Sequence, residues 1–292
     1  MPRPFLLIAS LLLASCAMTS TSSTPPVPAA LRSEFAPSGT LVMGVNYGNI
    51  VHTQKDPGGG DPRGVAPELG RELARRLGVP IRYVTYDIAG KLADDARTGA
   101  WDLAFLAVDP ARAKDISFSE PYVLIQGSYL VKRDAPMRSV KDFDRPGLKI
   151  AVGLKSAYDL FLSRELKNAE LVRYPTSQAA IDAFVQGKDG VGAAAGVRQP
   201  LVIAAKKDPA FRVIDDSFMT IGQAVGVPNG RPNAARYLHD YVEEQKANGF
   251  VARKLAESGT RTRPSLRLRN KWGQTPILLI RGFASRINEI GV

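Results

Sequence analysis

Between residues 40 and 260 the chain alternates short apolar runs with amphipathic stretches. The run at 41–45 predicts a strand. Val65, Leu69, Leu73 and Leu77 then recur every four residues and predict a helix, with Pro67 in its first turn, where a missing N–H costs nothing. Gly78 and Pro80 stop that helix, and Ile81–Tyr86 predicts the next strand. A short helix over 89–98 and a buried run over 102–108 complete a first set. A second set follows Lys132, Arg133 and Asp134: a strand at 149–152, a helix at 156–167, a strand at 171–174, and a helix at 178–186 carrying Ile181, Phe184 and Val185. A long amphipathic helix over 232–248 turns Ala235, Leu238, Tyr241 and Val242 to one side. Alternation of this kind predicts an α/β protein with mostly parallel sheets. No repeat of solenoid period is visible.

The two ends break this pattern. Phe5 to Ile8 and Leu11 to Leu13 form an apolar stretch behind Arg3, too short to span a bilayer and suited to a secretory signal over 1–15. It ends in Leu13-Ala14-Ser15-Cys16, which resembles a bacterial lipobox. Cys16 would then be the lipidated first residue of the mature chain, and 16–39, rich in Ser, Thr and Pro, its tether. An ordinary signal cleaved nearby is the alternative. Cys16 is the only cysteine, so no intrachain disulfide or cysteine metal site can form. At the other end, 261–292 shows little periodicity and predicts a basic, poorly packed extension.

Charge changes the picture less than its total suggests. Of the formal +11, the 261–292 segment supplies +6, from seven Lys/Arg against Glu289. Residues 4–260 hold 31 basic and 27 acidic residues, a net +4 that calls for no nucleic acid partner. Gly190-Val191-Gly192 followed by Ala195 fits a dinucleotide pattern on paper, but a turn precedes it where a strand is required. Gly58, Gly59 and Gly60 lack the Lys and Ser/Thr of a phosphate loop and read as a hairpin tip. His52 and His239 have no nearby ligand partners in sequence, so neither metal binding, nor a cofactor, nor histidine catalysis is expected.

Several segments together resemble the family 3 periplasmic solute-binding proteins, the amino-acid-type substrate-binding proteins of ABC transporters. They are GVAPELGRELARRLGV (64–79), RTGAWDLAFLAVDPARAKDISFSEPY (97–122), SYLVKRD (128–134), SAYDLFL (156–162) and AVGVPNG (224–230), in the family's order and spacing. The resemblance covers about 220 residues, from Thr40 to Ser258. It implies a two-lobed periplasmic-binding-protein (Venus-flytrap) fold, type II-like, with two hinge crossings: lobe one from 40–130 and 226–260, lobe two from 131–225.

The same resemblance nominates ligand-binding residues. Arg112 matches the arginine that holds a ligand carboxylate, for which a guanidinium fork is geometrically suited; otherwise it is a solvated arginine at a helix start. Ser156 falls where the family places a hydroxyl at a lobe-two helix start, though simple N-capping explains a serine equally well. Asn46 and Tyr47 follow the first strand, where the family supplies an aromatic wall or where an aromatic is core. Two departures stand out: the family's small hydroxyl residue is Ala107 here, and its lobe-two acid falls at or near Ala195. Arg198 and Gln199 lie just beyond and could reach the cleft, and Asp109 could restore a negative charge beside Arg112. The expected function is capture of a small carboxylate-bearing solute, amino acid or organic anion, by a periplasmic monomer. That monomer would be lipid-anchored, not an enzyme, and would deliver to an ABC permease in the inner membrane. A cleft enzyme resembling cyclic carboxylic acid dehydratases and a permease-free sensor lipoprotein are the alternatives.

Overall fold

The computed structural model describes residues 27–259. Cys16 and the 261–292 extension lie outside the described residues. The chain enters the fold through α1 (Ala29–Phe35). Three parallel strands follow, β1 (Leu41–Asn46), β2 (Ile81–Tyr86) and β3 (Leu103–Ala107), with β1 in the middle. They are linked by α2 (Val65–Leu77) and α3 (Ala89–Asp94). The four-residue spacing in α2 does what it predicts: Val65, Leu69, Leu73 and Leu77 are all fully buried. Gly78 ends the helix at φ +66°, a left-handed cap that lacks the usual side-chain penalty. The Gly58-Gly60 loop is closed by an antiparallel bridge between Gln54 and Arg63, as a hairpin tip would be.

A short β4 (Ile116–Phe118) and the long β5 (Val123–Lys132) lead into a second parallel unit. There β6 (Lys149–Gly153) lies between β7 (Glu170–Tyr174) and β8 (Ala193–Val197), connected by α4 (Ala157–Glu165) and α5 (Ser177–Val185). After α6 (Arg198–Lys207) and β9 (Phe211–Val213), β10 (Met219–Pro228) returns to the first unit, which α7 (Pro232–Ala247) and α8 (Phe250–Glu257) complete. The strand order is β2-β1-β3-β10-β5-β8-β6-β7, with β4 on β10 and β9 on β5. Met43, Leu69, Phe105 and Leu238 centre the core of the first lobe. The cores of the second lobe centre on Tyr129, Phe143 and Ile150 on one side of the sheet, and on Leu130, Ile181 and Phe184 on the other.

Two expectations are corrected. The sheet is parallel only in its two wings, because β5 and β10 run antiparallel to each other and to their neighbours β8 and β3. A long antiparallel pair links the two wings: residues 219–223 of β10 pair with residues 123–127 of β5, and residues 127–130 pair with β8. Finally, the supposed tether is folded from Ala29: Phe35 is wholly buried in the first core. Glu34 accepts from Ala234 N and Asn233 Nδ2 at 2.8 and 2.6 Å, holding the start of α7.

Candidate functional site

The loops leaving β1, β6, β7 and β8 converge from the two lobes, the position where open α/β sheets present their binding crevice. Arg112 lies in a single 3-10 turn behind β3 and is only 5 % exposed. Its Nη1 donates to the Ala107 carbonyl at 3.0 Å, and its Nη2 reaches across to the Lys155 carbonyl of lobe two at 3.1 Å. Its Nε is buried with no hydrogen-bond partner, which is rare in native proteins. Burial pushes Arg112 down to about 10, opposed by the charges of Asp109 and Asp94, so it remains cationic at neutral pH.

Lys155 joins the lobes from the other side. Its Nζ lies 2.7 Å from Asp94 of α3, and its amide donates to Asp159 at 2.8 Å. Its φ is +52°, a left-handed conformation uncommon for a residue with a side chain. Gly90 of α3 sits directly opposite: a Cβ there would fall 2.3 Å from the Lys155 Cβ. A buried Asp109 carboxylate completes the seam, 3.0 Å from Arg164 of α4. The lobes are closed upon each other, with a residual cavity of about 20 Å³ between them, room for a water and no more. Gly48, Asn49 and Ile50 wall it from lobe one, and Tyr158, Ser177, Ile181, Gly196, Val197 and Pro200 from lobe two. A wider depression of about 380 Å³ is formed by residues 136–145 of lobe two alone; lacking any lobe-one wall, it is not a clamp site.

The nominated residues divide sharply. Arg112 and Asp109 both lie at the seam. Asp109, however, is already doubly engaged: Oδ1 accepts from Ala111 N at 2.8 Å and Oδ2 from Arg164. Ser156 acts as an N-cap, its Oγ accepting from Asp159 N at 3.1 Å. Asn46 turns its Oδ1 to the Gly48 amide, shaping the loop, while Tyr47 packs on the first core beneath Lys55. The cavity wall begins one residue later. Arg198 donates from Nη1 to the carbonyls of Ile214 and Asp215, tying α6 to the segment before β10; Gln199 Oε1 beside it is buried without a partner. Ala195 is inside β8, paired with Tyr129 in the core, and Val197, two residues on, occupies the strand end that faces the cavity. Tyr158, Ser177 and Pro200 were not singled out, and Ile181 was named only as an apolar helix position. Their common signal is position, at or just beyond the carboxyl ends of parallel strands.

Two lobes on a shared sheet, crossed twice and meeting over a buried arginine, define a two-lobed periplasmic binding protein. Residues 41–257 match the bacterial extracellular solute-binding proteins, family 3, and the chain belongs to that family. It is 26% identical over 209 residues to a glutamine-binding protein of Geobacillus stearothermophilus, covering 68% of this chain and 77% of that protein. Among solved structures it is similar to ArgBP from T. maritima, with a TM-score of 0.68 at 19% identity over 79% of this chain and 100% of that one. It is likewise similar to the solute receptor for L-cysteine of Neisseria gonorrhoeae (TM-score 0.68, 20% identity, 78% and 92% covered). An ancestral amino acid-binding protein described as a precursor of cyclohexadienyl dehydratase aligns at TM-score 0.65 and 24% identity, covering 77% and 97%. Among the described residues no helix is long and apolar enough to cross a membrane.

Proposed function

We propose that this chain is the periplasmic receptor of an ABC importer, a monomer that closes on a small carboxylate-bearing solute and binds it without chemistry. Arg112 is the observation that carries the reading: a buried cation on one lobe, touching the other, with an unpartnered Nε. A carboxylate arriving here would accept from the guanidinium fork in place of the Lys155 carbonyl. It would favour the closed state through contacts that the open state lacks. The solutes in the names of the glutamine-, arginine- and cysteine-binding relatives share a carboxylate, which supports the same class. The cavity walls offer hydroxyl, amide and aliphatic groups but no carboxylate, imidazole or thiol, which favours binding over a dehydratase-like activity.

Calorimetry tests this. Arg112→Ala should weaken a micromolar carboxylate by about 2–5 kcal/mol, beyond detection. Arg112→Lys should recover little, because a point charge does not reproduce the fork. Unchanged affinity in Arg112→Ala would sink the assignment. Anchoring through Cys16 belongs to the same proposal. Labelling with a radioactive fatty acid should mark the wild type and spare Cys16→Ser, and equal labelling of both would refute the anchor.

A further inference from the structure

We infer that the cleft selects a carboxylate with an apolar body and no free ammonium group. This rests on Arg112 as the carboxylate anchor and narrows what the anchor accepts. The cation at the seam has a buried donor without a partner, but the acids near it are taken. Asp109 is held by Ala111 N and Arg164. Asp159 accepts from Lys155 N and from Arg173 Nε at 3.0 Å, and Asp94 faces Lys155 Nζ.

The cavity itself is walled by Ile50, Ile181, Val197 and Pro200. Its hydroxyls, Tyr158 and Ser177, are bonded to each other at 2.7 Å. An ammonium drawn into this enclosure would lose its water shell and meet aliphatic groups, an amide and a hydroxyl pair, with no carboxylate to compensate it. A carboxylate loses its shell too but gains the guanidinium, and an aliphatic or aromatic remainder gains the wall. The site therefore has a place for one charge, and that charge is negative.

Matched pairs test the inference on the full chain, each pair differing by the α-amine: L-leucine with 4-methylpentanoate, L-phenylalanine with 3-phenylpropanoate, and L-glutamine with 4-carbamoylbutanoate. Calorimetry should find the amine-free member bound at least tenfold tighter in any pair that binds. Equal or tighter binding of the amino acid, still abolished by Arg112→Ala, would overturn this inference and leave the anchor standing. No binding of any member at millimolar concentration would overturn both. Val197→Asp supplies the missing acid at the end of β8 and should reverse the preference. A folded Val197→Asp protein that keeps the wild-type preference would also overturn the inference.

Discussion

Lys155 shows how a single residue can serve both halves of the cleft. Its left-handed backbone is held because its amide, carbonyl and ammonium each meet a different partner, Asp159, Arg112 and Asp94. Local strain of this kind, about 1–3 kcal/mol, persists only where surrounding contacts over-determine it. His52 is a residue of another sort, 1 % exposed, with Nδ1 against the Thr53 hydroxyl at 3.0 Å. Burial drives it down to about 3. An unfolded histidine takes its proton near pH 6.5, so between 6.5 and 3 the unfolded chain binds more protons than the folded one. Its contribution is therefore fully present above 6.5 and is lost as pH falls through that window, by up to about 1.4 kcal/mol per unit. Urea denaturation at stepped pH should show this slope in the wild type, and His52→Asn should flatten it. An identical slope in both would assign the acid sensitivity elsewhere.

At the scale of elements, α1 is part of the body. Phe35 is fully buried and packs edge-on against Tyr237 of α7 with ring centroids 5.9 Å apart, while Glu34 satisfies the α7 amide terminus. Phe35→Ala should cost about 3–5 kcal/mol by urea denaturation; a loss below about 1 kcal/mol would return the segment to the status of a tether. That α1 escaped the sequence pattern is understandable. Seven residues carry too little periodicity, and the Ser, Thr and Pro composition before it continues without a break. The amphipathic α2 and α7 were legible because a 3.6-residue stripe is a local signal. The antiparallel β5–β10 pair was not, since its strands are far apart in the chain, and the half of each that pairs with β8 or β3 is buried without alternation. The site divides the same way. Arg112 stood out because a short motif surrounds it. The cavity-facing position on β8 could not be fixed within Gly-Ala-Ala-Ala-Gly-Val, where small residues give no mark of register.

At the scale of the whole molecule, closure depends on how near α3 can come to the turn before α4. The Arg112, Asp109 and Lys155 contacts hold the lobes together, but Gly90 admits them, because any Cβ there would overlap the Lys155 Cβ. Gly90→Ala should therefore leave the melting temperature nearly unchanged. Small-angle scattering should show it more extended than the wild type, and its ligand affinity should drop. Adding Lys155→Gly removes the opposing atoms, though also the ion pair to Asp94, and should restore part of both. A Gly90→Ala protein as compact as the wild type would mean that the seam yields elsewhere. The consequence is that recognition and announcement can be uncoupled by excluded volume alone. A molecule with a methyl wedged in that seam would keep every binding group yet never present the shut outline, a listener that hears and cannot answer.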